Sequence, residues 1–366
     1  MVIMNILHLY KDYYPVLGGI EYHIKILAEA QAAAGHQVTV LVCDLSRRTR
    51  IENLNGVRVI KAGRITTAAS MPLSLSQPLI LARLRPDIVH IQSPYPLGEI
   101  ANWLLGHAKA TVITYQSDVV RQRGWLRFYG PFLRRVLRAA DRIIATSPRY
   151  IESSPWLQLV RERCTVIPNG VDVTRFVPSS QHHAGLPMLL FVGQLRYYKG
   201  LDTLLRAIPH VPEASLTIVG EGPMREEWQA LSQELGLAGR VVFVGEVDNA
   251  DLPDYYQQAD LFVFPSNARS EAFGIALIEA MACGLPCIAT ELGTGTSWVV
   301  QDGITGLVVP PADPLALAEA ITTLLQDPTR RQAMGQAGRE RVVQHFSVEQ
   351  VIRKVGTLYE ELLGDS

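Results

Sequence analysis

The stretch Phe264-Pro-Ser-Asn-Ala-Arg-Ser-Glu-Ala-Phe-Gly-Ile-Ala-Leu-Ile-Glu-Ala-Met-Ala-Cys-Gly284 joins three kinds of structure within twenty-one residues. An apolar run ends at Phe264, a polar loop carries Glu271, and a helix is expected from about Phe273 to Cys283, ended by Gly284 and Pro286. Strand, loop and helix in that order form half of a parallel βαβ unit. The first amides of such a helix, near Ala272, Phe273, Gly274 and Ile275, can hold a diphosphate. Glu271 would then sit at the mouth, and Glu279, two turns on, could accept hydrogen bonds from a ribose diol. Taken alone, Glu271 reads equally as a carboxylate at a helix N-terminus and Glu279 as a solvated helix residue.

Working outward, the same alternation recurs on both sides. Candidate strands at Met188–Val192, Leu216–Val219, Val241–Val244, Leu261–Phe264 and Cys287–Thr290 form one series. An earlier series lies at Asn5–Tyr10, Val38–Cys43, Asp87–Ile91, Thr111–Tyr115, Arg142–Thr146 and Thr165–Pro168, with amphipathic helices such as Ile20–Ala34 between strands. The fold class is α/β, with two doubly wound parallel sheets. Between the series, Asn169–Pro187 is rich in Ser, Pro and Gly and contains His182-His183, which fits an exposed linker. After Pro310 the chain reads as helical, broken near Asp327-Pro328 and at Ser347. The expected division is 1–178, 179–346 and a C-terminal helix over 347–366.

Composition agrees with two globular domains. The chain has 366 residues, too many for one core, which stops growing near ~250–300 residues. It is 48% hydrophobic and 19% charged, which excludes disordered and fibrous classes. Cys43, Cys164, Cys283 and Cys287 are too sparse for a disulfide framework, and the Cys283/Cys287 pair has no matching His or Cys pair for a zinc site. MVIMNILHLYKDYYP lacks a basic segment ahead of its apolar stretch and reads as a first strand, and nothing approaches the ~18 consecutive apolar residues of a membrane span. A reduced, cytoplasmic setting is expected.

The net charge of −1 conceals an asymmetry. Residues 1–178 carry 22 basic and 12 acidic side chains, net +10; the remainder carries 12 and 23, net −11. A basic half implies an anionic partner. Arg121, Arg123, Arg127, Arg134, Arg135, Arg138 and Arg142 interleave with apolar residues at helical spacing, a pattern that serves an anionic membrane surface or any half-buried helix. No nucleic-acid motif accompanies the charge.

Two more clusters carry chemistry. Gly18 and Gly19 stand between the first strand and a helix, where glycines admit an anion to backbone amides or simply make a tight turn. Arg196 and Lys199, on a loop after Met188–Val192, suit a developing diphosphate leaving group. Val219-Gly-Glu-Gly-Pro-Met224 follows a strand but lacks the last glycine of a dinucleotide fingerprint. A P-loop, an Asp-x-Asp pair and His-x-x-x-His spacing are all missing, so no metal site is expected.

Taken together, the segments resemble the retaining nucleotide-sugar glycosyltransferases of family 4, with the two-domain GT-B fold. The resemblance rests on Gly18-Gly19-Ile20-Glu21, Val166-Ile-Pro-Asn-Gly-Val-Asp172, Arg196–Gly200, Gly220-Glu-Gly-Pro223, Ala259–Pro265, the Glu271/Glu279 pair and Gly303-Ile-Thr-Gly-Leu307, in family order along nearly the whole chain. It implies two Rossmann-like domains facing a central cleft. The donor's diphosphate would be held by Gly18, Gly19, Arg196, Lys199 and the amides after Glu271. Glu271 would bind sugar hydroxyls, Glu279 the ribose, and the base would lie near Gly220, Gly222, Val247 and Asn249. The first domain would bind a glycan or lipid-linked acceptor, Gln116 and Asp118 would join Glu271, Lys199 and Arg196 as the catalytic residues, and the C-terminal helix would return to the first domain and couple closure to donor binding. Transfer would retain the anomeric configuration with neither cofactor nor metal.

Two positions depart from the family pattern. Relatives tend to have His within the segment that here reads Thr114-Tyr-Gln-Ser-Asp118, and many carry Arg where Gln194 stands. Gln116 can hydrogen-bond but cannot carry charge. Glu291-Leu-Gly-Thr-Gly-Thr-Ser-Trp298 resembles mannosyltransferases of surface-polysaccharide assembly, which favours GDP-mannose over UDP-hexoses. The basic first domain then suggests a lipid-linked, anionic acceptor at the inner membrane face. Competing readings are a non-hydrolysing sugar-nucleotide epimerase and an impaired nucleotide-sugar-binding protein.

Overall fold

A computed structural model describes residues 3–16, 18–68, 71–118, 123–179 and 186–364, with the side chains of 68 and 123–128 outside the description. The chain forms two compact units, Met1–Pro168 with Val351–Ser366, and Asn169–Gln350.

In unit 1 the strands are β1 (Asn5–Leu9), β2 (Gln37–Cys43), β3 (Arg50–Leu54), β4 (Val57–Ala62), β5 (Thr66–Ala68), β6 (Met71–Leu73), β7 (Ile88–Ser93), β8 (Ala110–Tyr115), β9 (Arg142–Ala145) and β10 (Cys164–Val166). The helices are α1 (Gly19–Ala33), α2 (Ser76–Leu81), α3 (Pro96–Leu105), α4 (Arg123–Ala139), α5 (Pro148–Ser153) and α6 (Pro155–Gln158). Eight strands make one sheet in the order β10-β9-β8-β7-β1-β2-β4-β3, parallel except for the β3–β4 hairpin. That hairpin, absent from the expected strands, turns at Asn55-Gly56, where both residues have positive φ, 51° and 83°. Such a two-residue turn favours Asn-Gly because its twist matches that of the flanking strands.

Unit 2 contains β11 (Met188–Val192), β12 (Ser215–Val219), β13 (Val241–Gly245), β14 (Leu261–Phe264), β15 (Cys287–Thr290) and β16 (Gly306–Val309). They form an all-parallel sheet in the order β13-β12-β11-β14-β15-β16. Its helices are α7 (Leu201–Ala207), α8 (Arg225–Glu234), α9 (Leu252–Gln258), α10 (Ile275–Ala282), α11 (Thr296–Val299), α12 (Pro314–Gln326) and α13 (Pro328–His345). A parallel sheet with apolar layers on both faces explains why these strands read as continuous hydrophobic runs.

The division falls at Pro168/Asn169, ten residues before the expected Pro178. The segment after Pro168 looks like a linker by composition but buries Val171 and Phe176 in the core of unit 2. Arg339 fixes it further, donating to the carbonyls of Val173, Phe176 and Ala282 at 2.6–2.9 Å. Residues 180–185, including His182-His183, lie outside the described residues. At the other end α14 (Val348–Gly364) joins unit 1 from Val351 onward. Val351, Val355, Leu358 and Tyr359, at i, i+4, i+7 and i+8, form one apolar stripe packed with Met4, Ile6, Val112 and Ile144.

Candidate active site

In an open doubly wound sheet, ligands bind beyond the carboxyl ends of the strands, where the strand order reverses. In unit 2 that point lies between the adjacent strands β11 and β14. The loop after β11 carries Gln194, Arg196 and Lys199; the loop after β14 carries Glu271. Two features bind these loops together: Asn267 donates its amide to the Tyr198 carbonyl at 2.9 Å, and Gly200 lies flat against the Pro265 carbonyl. Lys199 Nζ consequently reaches Glu271 Oε2 at 2.7 Å, with both side chains largely buried (13% and 11% exposed). The ammonium also lies 4.9 Å from the centre of the Phe264 ring. Arg196 does not join this pair. It is exposed and donates through Nε to Gln194 Oε1 at 2.8 Å, so the two cations of the loop have separate partners.

The helix α10 starts at Ile275, two residues later than expected, with Gly274 as its N-cap. Among the described residues no protein acceptor is assigned to the amides of Ala272, Phe273 and Gly274. Their carbonyl side is tied down instead: Thr294 Oγ1 donates to the Glu271 carbonyl and the Gly295 amide to that of Ala272. Further along α10, Glu279 Oε2 accepts from the Tyr256 hydroxyl at 2.7 Å. Burial pushes the Glu279 carboxyl above its ordinary value, partly countered by that hydroxyl and by the charges of Arg175 and Lys199. Tyr256 and Arg175 escape sequence reasoning because neither belongs to the loop or helix that carries the glutamates.

The loop after β12 packs backbone to backbone on the β11 loop. A Cβ on Gly220 would stand 2.1 Å from the Gly193 carbonyl oxygen, and one on Gly222 would stand 2.5 Å from that of Leu195. Close approach therefore accounts for both glycines. After β13, Val247 is half-buried against the core and Asn249 is exposed.

Unit 1 has its own reversal point between β1 and β7. Gly18 is the N-cap of α1, and its amide donates to Glu21 Oε2 at 3.1 Å; Gly19 opens the helix. The Glu21 carboxyl therefore occupies this helix end, and burial raises its pKa. Gln116, directly after β8, is buried, and its Nε2 donates to Gln92 Oε1 at 2.9 Å. Asp118 Oδ1 accepts from the hydroxyls of Tyr115 (3.0 Å) and Ser154 (2.7 Å), which gives this carboxylate an anchoring role. The sequence-predicted residues thus fall into two constellations, one in each unit. Gln92 and its neighbour His90 were not singled out, although polar residues alternating through the buried strand His90-Ile-Gln-Ser93 were a visible signal.

Along α4, Leu133, Val136 and Leu137 are buried while Arg134, Arg135 and Arg138 are exposed. The apolar stripe of this helix is therefore a core face from Leu133 onward. Arg121 and the side chains of Arg123, Trp125, Leu126, Arg127 and Phe128 lie outside the described residues. No helix among the described residues is long and apolar enough to cross a membrane.

Known proteins bear on this arrangement directly. The sequence model of the family described as Glycosyltransferase Family 4 matches residues 17–175, and that of Glycosyl transferases group 1 matches 172–341. A D-rhamnosyltransferase of Pseudomonas aeruginosa is 38% identical, over 94% of this chain and 92% of its own. The O-antigen chain mannosyltransferase C of Escherichia coli is 35% identical, over 98% and 99%. Among solved structures, a sucrose-phosphate synthase of Thermosynechococcus elongatus superposes with a TM-score of 0.82 at 27% identity, covering 99% of both chains. Two family models in succession, relatives at this identity along almost the whole chain, and two Rossmann-like units of the GT-B class together place the protein among the group 1 glycosyltransferases.

Proposed function

We propose that the protein transfers a hexose, mannose in preference, from a nucleoside diphosphate sugar to a glycan or lipid-linked acceptor in surface-polysaccharide or glycolipid synthesis. One observation carries the reading: the two loops at the reversal point of unit 2 set Lys199 against Glu271, beside the amides of Ala272–Gly274, which have no acceptor assigned among the described residues. An ammonium has three donors, and Glu271 uses one of them, which leaves two for phosphate oxygens. Those donors and the amides would stabilise negative charge on the departing diphosphate. Glu271, fixed through Oε2, keeps Oε1 for sugar hydroxyls; Glu279, fixed by Tyr256, keeps Oε1 for the ribose diol.

Retention follows if the acceptor hydroxyl attacks on the face the diphosphate leaves. The bond from the anomeric carbon to phosphate oxygen breaks, the bond to acceptor oxygen forms, and the acceptor proton passes to the departing phosphate oxygen. The charge that develops is met by Lys199 and the amides, so the step requires no metal and no cofactor. Support for mannose comes from the relatives: one is named an O-antigen chain mannosyltransferase and another, from Mycolicibacterium smegmatis, a GDP-mannose-dependent phosphatidylinositol monomannoside mannosyltransferase. The second is 38% identical over 88% of this chain and 82% of its own. Peripheral contact with the inner, cytoplasmic membrane face would be electrostatic, through the exposed Arg134, Arg135 and Arg138, since Leu133, Val136 and Leu137 beside them are buried in the core.

The test is incubation with radiolabelled GDP-mannose and UDP-glucose, with a mannosylated lipid-linked acceptor and chelator present. Label should pass from GDP-mannose to the acceptor, in the donor's anomeric configuration. Interconversion of the sugar nucleotide without acceptor would make the protein an epimerase, and binding without transfer would make it a nucleotide-sugar-binding protein.

A further inference from the structure

Five buried polar side chains of unit 1 form a continuous chain from the carboxyl edge of its sheet to the C-terminal helix. Gln116 Nε2 donates to Gln92 Oε1 at 2.9 Å, and Gln92 Nε2 lies 3.5 Å from His90 Nε2. His90 Nε2 is also 2.6 Å from Thr114 Oγ1, while its Nδ1 is 2.6 Å from the hydroxyl of Tyr359 on α14. None of the five is more than 7% exposed. Polar groups placed so deep are tolerated only when each has a partner, so the hydrogens along the chain must agree in direction.

The Gln92 amide sets that direction: its Oε1 accepts from Gln116 and its Nε2 faces His90 Nε2, which must therefore accept. Burial keeps the His90 imidazole neutral, so it carries one ring proton. With the proton on Nδ1, His90 donates to the Tyr359 oxygen. Nε2 then offers its one lone pair to Thr114 at 2.6 Å and, as the weaker branch, to Gln92 at 3.5 Å. Gln92 thereby turns its Oε1 to Gln116, which spends its NH2 on that oxygen and keeps its own Oε1 as an acceptor outside the chain. With the proton on Nε2 the order reverses: both amides flip, and Gln116 presents NH2 instead.

We propose that Tyr359 is a positioning residue for Gln116, its phenol holding the His90 proton on Nδ1 and so presenting the Gln116 carbonyl oxygen to a sugar hydroxyl of the acceptor that unit 1 would bind. The link to a sugar hydroxyl rests on the function proposed above; the chain itself does not.

Tyr359→Phe keeps the ring and removes the phenol. In protein labelled with ¹⁵N at histidine and glutamine, long-range imidazole spectra should show the His90 proton on Nδ1 in the wild type and on Nε2 in the variant, with the signal assigned by its loss in His90→Asn. The Gln116 side-chain amide, assigned by its loss in Gln116→Glu, should be protected from solvent exchange in the wild type and exchange freely in Tyr359→Phe. In the transfer assay, kcat/KM should fall about tenfold, the scale of one lost hydrogen bond. Val355→Ala, one turn earlier on α14, loosens the same packing without touching the chain, and should lower Tm while leaving both spectra unchanged. An unchanged His90 tautomer in Tyr359→Phe overturns the proposal, as does a Val355→Ala variant that reproduces the spectral changes. Spectral changes in a protein that transfers no sugar would uphold the chain and sink the proposed function instead. Spectral changes with undiminished transfer would sever Gln116 from the reaction.

Discussion

Acid should open unit 1, and His8 contributes a share that can be measured alone. Its ring lies in β1, in the middle of the eight-stranded sheet, and is fully buried. Nε2 bonds to Gln31 at 2.7 Å, Nδ1 has no partner among the described residues, and a second buried imidazole, His90, is centred 5.4 Å away. Burial lowers the His8 pKa from 6.5 to about 4, against the opposing Gln31 bond. Between these values the unfolded chain binds more protons than the folded one, so stability is full above pH 6.5 and lost as pH falls toward 4. At about 1.4 kcal/mol per pKa unit, His8 costs about 2 kcal/mol between pH 7 and pH 5 and about 3 kcal/mol below pH 4. His23, lowered to about 4, and His90, lowered well below its ordinary value, act in the same direction. The buried carboxyls of Glu21 and Glu99, whose pKa values are raised by burial, act in the opposite one. Comparison with His8→Leu cancels them. Amide exchange of Ile6–Leu9, corrected for intrinsic rates, reports the opening free energy of this central strand. Between pH 7 and pH 5 the wild type should lose about 2 kcal/mol more than His8→Leu. Parallel losses in the two proteins would show that His8 titrates alike in the folded and unfolded chain.

Other expectations concern unit 2 and the basic helix. A Cβ at position 335 would stand 2.0 Å from the Gly284 carbonyl oxygen, so Gly335→Ala should destabilise unit 2 by about 1–3 kcal/mol in calorimetric unfolding. Arg339→Ala removes three carbonyl contacts and should lower the same transition by about 2–4 kcal/mol, with the segment 171–176 showing the earliest loss of exchange protection. Glu271→Ala should mainly reduce transfer, leaving nucleotide affinity within about threefold of the wild type, since its partner Lys199 still serves the phosphate. Association with vesicles of anionic lipid should fall when Arg134, Arg135 and Arg138 become Ser, and also at high salt; binding insensitive to both would point to an uncharged contact.

The parallel strands were legible because each is buried on both faces and reads as an apolar run: Met188–Val192, Leu261–Phe264 and Cys287–Thr290 match the structure residue for residue. The β3–β4 hairpin was not found, since Arg50–Leu54 is an edge strand with exposed, mixed residues, although Asn55-Gly56 announced the turn. β16 escaped for a related reason: Gly306 must lie flat against the Cys287 carbonyl, and a strand opening on glycine carries a weak signal. Composition placed the unit boundary later because Asn169–Pro178 is polar and Pro-bearing, yet it anchors in unit 2 through the buried Val171 and Phe176 and the Arg339 contacts to its carbonyls. Of the site, the Lys199–Glu271 pairing was implicit once β11 and β14 are neighbours. The separate engagement of Arg196 by Gln194, and the polar chain behind Gln116, depend on side-chain directions that spacing does not encode.

The most direct test of the account is calorimetric titration of the full chain with GDP, UDP, ADP and NAD, repeated with Glu279→Ala. GDP, or UDP, should bind in preference to ADP and NAD, without added metal, and affinity should fall about tenfold or more when Glu279 no longer meets the ribose. Preference for NAD, no binding of any nucleotide, or equal affinity in wild type and Glu279→Ala would contradict it.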